Sequence, residues 1–134
     1  MEIVLKDYLE KAFSEKIIQE CADGSVMVVF GTTYDDLLRT PMRFKLTKCD
    51  DDCIKIDDEG LTFQYLDEIF ELGVNDVMQN VDKIKEFYEV ETTDTELKSA
   101  HLTKKVSIDS NILIELFRFR DCIAFLNSMK IFYT

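Results

Sequence analysis

The sequence predicts an α+β fold: a small antiparallel sheet of about three to five strands, packed against an N-terminal amphipathic helix and a long, apolar C-terminal helix. Three observations carry this. Apolar residues recur at four-residue spacing near the start, they alternate with polar ones between residues 42 and 56, and they crowd the last stretch, SNILIELFRFRDCIAFLNSMK, on more than one face. At 134 residues the chain fits a single domain spanning 1–134, one that buries about two thirds of the surface it exposes when unfolded.

Taken in order, Leu5, Leu9, Phe13 and Ile17 form the apolar stripe of a helix over residues 2–21, supported by the pairs Glu2–Lys6 and Asp7–Lys11. Asp23 and Gly24 end it. SVMVVFG, rich in β-branched residues, suits a buried strand, and TTYDDLLRTP at 32–41 suits a connection with one helical turn capped by Thr33. Met42, Phe44 and Leu46 alternate with Arg43, Lys45 and Thr47, as Ile54 and Ile56 do around Lys55, so the intervening KCDDDC joins two antiparallel strands. A second turn, Asp58-Glu59-Gly60, is followed by a strand to Tyr65 and a short helix to Leu72. Asn75 caps a helix with the stripe Val77, Val81, Ile84 and Tyr88. Thr93 with Glu96 has the pattern of a capping box for a brief helix, and KKVSI is a further strand. The final helix, capped by Asp109 or Ser110, shows the stripe Ile112, Leu116, Phe119, Ile123 and Leu126. Leu113, Phe117, Phe125 and Met129 lie off that stripe and are the residues through which a homodimer would form.

Charge is distributed unevenly. The net charge is −11, yet residues 1–48 hold eight acids and seven bases, and residues 97–134 hold three acids and six bases. Residues 49–96 hold sixteen acids against three bases, a local balance of −13. Such a field repels phosphates and attracts cations, which excludes direct nucleic-acid binding and points to a basic protein partner. No basic cap followed by an apolar stretch opens the sequence, and the longest apolar runs fall short of the ~20 residues that span a bilayer. A cytoplasmic location is expected, without a membrane anchor, and there the four cysteines should remain thiols.

Chemistry-bearing patterns are sparse. Cys49 and Cys53 offer a C-x3-C pair for zinc, with Cys21, Cys122 or His101 to complete a tetrahedron, but a second recognisable pair is missing. A calcium loop with Gly60 at its sixth position would place Lys55 and Leu66 where oxygen ligands are needed, so it fails at both ends. The single histidine, His101, has no nucleophile beside it in sequence, and phosphate-loop, dinucleotide and hydrolase motifs are absent. No cofactor, metal or catalytic residue is therefore assigned, and a small metal-dependent hydrolase is the weakest of the functional readings.

The leading expectation is a non-enzymatic acidic protein that inhibits or sequesters a basic partner which itself acts on nucleic acid. Asp50, Asp51, Asp52, Asp57, Asp58, Glu59, Asp67, Glu68 and Glu71 would form its contact surface. In size and charge, though in no alignable residue, the chain resembles the acidic inhibitors that phages direct against nucleic-acid-acting defence enzymes, and the immunity proteins that neutralise basic nuclease toxins. The alternative expectation is a homo-oligomeric small-ligand-binding or assembly domain organised on the C-terminal helix.

Overall fold

A computed structural model describes residues 4–12, 17–35, 40–50, 52–71, 75–93 and 100–133. Helix α1 (Leu5–Ala12) is followed by strands β1 (Ile17–Glu20), β2 (Val26–Asp35), β3 (Thr40–Asp50) and β4 (Cys53–Asp57). Helices α2 (Leu61–Glu71) and α3 (Asn75–Tyr88) come next, then β5 (Glu91–Thr92), β6 (Leu102–Ser107) and the long α4 (Ile112–Tyr133). One antiparallel sheet of six strands runs in the order β1-β2-β3-β4-β6-β5. The α+β class therefore stands, but the expected three to five strands and single long C-terminal helix do not: there are six strands, and α2 and α3 join α4 in a three-helix layer.

The extra strands arise where tertiary pairing overrides local spacing. Ile17 and Ile18, placed by sequence on the first helix, instead pair with Val29 and Val28, because β-branched side chains suit a strand that has a partner to join. Gly24, with φ of 85°, ends no helix but turns this hairpin. Asp23 accepts hydrogen bonds from the amide and hydroxyl of Ser25 and pairs with Lys45 at 3.4 Å. The Ser25 donors, with help from Lys45, hold the Asp23 carboxyl down at about 2. The expected connection at 32–41 is largely strand: Tyr34 and Asp35 pair with Pro41 and Thr40 beyond an irregularity between Phe30 and Tyr34. Residues 94–99, with most of the brief helix expected after Thr93, lie outside the described residues.

Alternation sorts the sheet into two faces. Val26, Val28, Met42, Phe44, Leu46, Ile54, Ile56, Leu102 and Val106 are buried beneath the helices. Phe119 of α4 meets Phe44 edge-on, ring centroids 4.9 Å apart. Leu5 and Leu9 of α1 enter the same core, and the Tyr8 hydroxyl donates to the Ile108 carbonyl at 3.0 Å. All five residues of the expected α4 stripe are buried, and Asn111, not Asp109 or Ser110, caps the helix by accepting the amides of Leu113 and Ile114 at 3.1 and 3.3 Å.

The strand expected at 61–65 is the first half of α2. Thr62, Phe63, Leu66 and Ile69 are its buried residues, a helical spacing, and Phe63 meets Phe70 edge-on at 5.5 Å. The cause is the turn before it: Asp58 accepts the amides of Gly60 and Thr62 at 2.8 and 3.1 Å, satisfying donors that a helix start would otherwise leave open.

A lysine completes the core. Register places Lys104 opposite Ile56 on the buried face, its side chain only 4% exposed. Its Nζ donates to the Tyr88 carbonyl at 2.9 Å and pairs with Glu115 Oε2 at 2.9 Å. The cation thus sits at the C-terminal end of α3 and its counter-ion in the first turn of α4, each complementing a helix dipole. Removing one member of such a pair strands the other. Lys104→Met should cost about 3–5 kcal/mol in urea melts, and Lys104→Met/Glu115→Leu should recover part of that, leaving the Tyr88 carbonyl without its donor. A loss below about 1 kcal/mol in the single variant would show the pair to be dispensable.

Candidate functional site

Asp57, Asp58 and His101 come together where β4 ends, α2 begins and the chain enters β6. Among the described residues they form the one group whose carboxylate and imidazole atoms lie within 4.8 Å of one another. The His101 Nδ1 stands 3.0 and 3.2 Å from the two Asp57 oxygens, so the Nδ1 proton donates to that carboxylate. Asp57 Oδ1 also accepts the Glu59 amide at 2.7 Å. Asp58 accepts amides from Gly60, Leu102 and Thr62 at 2.8, 2.9 and 3.1 Å. The His101 backbone is clamped in turn by Thr93, whose amide donates to its carbonyl at 3.0 Å and whose hydroxyl accepts its amide at 3.1 Å.

In the fold these bonds make the group a clasp: Asp58 ties the α2 start to β6, and a cation held by the three residues would compete with the backbone amides that Asp58 accepts. Glu59 and Gly60 make its turn, both left-handed with φ of 62° and 79°. A Cβ on Gly60 would stand 3.1 Å from His101 Cδ2, so the residue is glycine on two counts. Burial raises the Asp58 carboxyl from its ordinary value, against the pull of its donors.

The expected acidic surface is therefore split. Asp57 and Asp58 are buried and leave it. Asp50, Asp52 and Glu59 are exposed, the first two at the β3–β4 turn and Glu59 at the far end of β4, while Glu68 and Glu71 are exposed and Asp67 half-buried on α2. Asp51 lies outside the described residues. Sequence reasoning missed Asp82, Glu86 and Glu89, exposed on and just after α3, together with Phe87, which is 74% exposed among them and Lys83. Their signal was present: Phe87 falls off the stripe of Val77, Val81, Ile84 and Tyr88.

Cysteine chemistry also differs from expectation. Cys49 and Cys53 are joined in a disulfide across the β3–β4 hairpin, Cα atoms 5.4 Å apart, which removes both from any zinc site. The antiparallel register brings the two strands close enough for the bond, a proximity that C-x3-C spacing alone does not specify. Cys122 is a buried thiol pushed up to about 12 by desolvation, an unreactive state, and Cys21 is half-buried. The four expected interface residues share no single face: Met129 is in the core, Leu113 and Phe117 pack half-buried against it, and Phe125 alone is exposed.

Comparison with protein-family models, with characterised proteins and with solved structures finds no match in any of the three. Among the described residues no helix is long and apolar enough to cross a membrane.

The raised Asp58 carboxyl has a definite sign. Between the unfolded value of about 4 and the higher folded value the native state holds the extra proton, so the contribution of this group to stability is present in acid and lost as pH rises through the folded value. The stability difference between wild type and Asp58→Asn, followed by urea melts from acid to neutral pH, should shift against the wild type across that window and be flat on either side. A difference independent of pH would contradict the burial argument.

Proposed function

We propose that this protein is a non-enzymatic, cytoplasmic binding protein that sequesters a basic partner, one whose own surface is built to hold nucleic acid. The observation that supports it is the separation of charge across the fold. The open face of the sheet carries Arg43, Lys55 and Lys105, with Lys45 paired to Asp23 and Glu91 at the β5 edge, positions that alternation places opposite the buried residues of β3, β4 and β6. The exposed acids Glu68, Glu71, Asp82, Glu86 and Glu89 lie on the helical side, along α2 and α3. A cationic partner is thus repelled by one face and drawn to the other, which speeds encounter and fixes orientation. Phe87 supplies an apolar contact within that side, of the kind that gives an electrostatic encounter its lifetime.

Two glutamates strengthen the case. Glu59 and Glu89 hold left-handed backbone positions, φ 62° and 57°, where a side chain is unfavourable and glycine is the ordinary occupant. An exposed acid kept at such a position is consistent with a role for its charge. The reading does not depend on the Cys49–Cys53 bond, since the β3–β4 ladder holds the hairpin when a reducing compartment opens it.

The test uses tagged protein in its native host, with partners identified at low and at moderate salt. A basic, nucleic-acid-acting protein that is released as salt rises, and displaced by added nucleic acid, is the expected result. Changing Glu68, Asp82, Glu86 and Glu89 to their amides should then slow association at least about tenfold at low salt and flatten its salt dependence. Asp57 and Asp58 should be left intact, because altering them opens the clasp. A partner that binds the amide variant at the wild-type rate would defeat the assignment of this surface.

A further inference from the structure

The outward side of α4 is the one helix face whose chemistry specifies its own complement. Ile114 and Phe125 are 53% and 56% exposed, among the most exposed large apolar side chains of the described residues. Between them Arg118 is half-buried and Asp121 exposed. The spacing from Ile114 to Arg118 to Asp121 to Phe125 is four, three, four, which is the seam of a two-helix coiled coil. At 100° per residue these four side chains fall within about 60° of one another, away from the Ile112, Leu116, Phe119, Ile123 stripe that faces the core.

The seam is also palindromic. When two copies of α4 are laid antiparallel about a two-fold axis between Phe119 and Arg120, Ile114 of each faces Phe125 of the other, and Arg118 of each faces Asp121 of the other. An isologous interface requires this reciprocity: if one residue meets a second, the second must meet the first. Like charges never coincide in this register, and the two apolar pairs flank two opposite-charge pairs. A parallel arrangement would instead set Arg118 against Arg118 and Asp121 against Asp121.

We infer that α4 pairs antiparallel with α4 of a second copy of this chain through Ile114, Arg118, Asp121 and Phe125. Long-range electrostatics agree. Within α4 itself Arg118, Arg120 and Lys130 stand against Glu115 and Asp121, so the pairing helix carries none of the acidic excess behind the net charge of −11. Asp121 is at present bonded to Arg120 at 3.2 Å, and Arg120 in turn lies over the Phe117 ring at 4.8 Å. This local chain holds the carboxylate in place while its other oxygen remains for Arg118 of the second copy. The inference stands apart from the basic-partner reading, since it uses a different surface and a different occupant.

Sedimentation equilibrium over a range of protein concentrations, with complementary charge reversals, tests it. Wild type should be a reversible dimer. Arg118→Asp and Asp121→Arg, each alone, bring like charges together across the seam and should weaken dimerisation at least about tenfold. Mixing the two variants should restore association to within about threefold of wild type, because every facing pair in the heterodimer is then opposite in sign. Phe125→Ser should also yield monomer, with circular dichroism melts confirming that each variant is folded. A wild type that stays monomeric, single variants that dimerise as wild type does, or a mixture no tighter than its components would each overturn the pairing.

Discussion

The contact on which most of the architecture converges is the buried ion pair between Lys104 and Glu115. Lys104 arrives on β6, its Nζ reaches the last carbonyl of α3, and its counter-ion comes from the first turn of α4. The end of α3, β6 and the start of α4 are thereby fixed at one point, and neither charge is left without a partner. The surroundings depend on the same point. Beyond Tyr88, Glu89 turns left-handed, Val90 donates its amide back to the Lys85 carbonyl at 2.9 Å, and β5 joins the sheet edge. The exposed acids and Phe87 at the end of α3 are consequently presented from a rigid base, which lowers the ordering cost of any contact they make.

Much of this was legible in the sequence, and what was not follows a pattern. The alternation at Met42–Leu46 and Ile54–Ile56, the α3 stripe and the buried side of α4 all appear as read, because each depends on spacing within one segment. The first helix is shorter than its spacing implies, because Ile17 continues the apolar stripe and only the neighbouring β2 makes Ile17 and Ile18 part of a strand. Leu61–Tyr65 alternates like a strand, yet the Asp58 carboxylate that starts a helix there is fixed by Leu102, forty-four residues away. Lys104 carries no sequence signal of burial, since its reason is Glu115 and the Tyr88 carbonyl. Aspartates 57 and 58 look like surface acids in a row of acids, and become structural only when the α2 start, His101 and β6 close around them.

That distinction changes how the acidic third of the chain is understood. Part of its charge is spent inside the fold, in the clasp at the end of β4, and the remainder lies exposed at the β3–β4 turn, along α2 and along α3. The open sheet face bears Arg43, Lys55 and Lys105 beside Glu91 and the Lys45–Asp23 pair, so it lacks the run of exposed acids found on the helical side. A two-fold dimer through α4 would carry two copies of the acidic helical surface, and a partner with two basic sites would then bind with the advantage of a second, intramolecular contact.

Amide hydrogen exchange at Val90 tests the role of Lys104 most directly, because that amide reports whether the end of α3 opens by itself. In the wild type it should exchange as slowly as the amides of β4, through global unfolding alone. In Lys104→Met it should exchange markedly faster than β4, revealing local release of the α3 terminus. If Val90 and β4 keep the same relative protection in both proteins, the buried pair contributes to overall stability without holding this surface in place, and the account is contradicted.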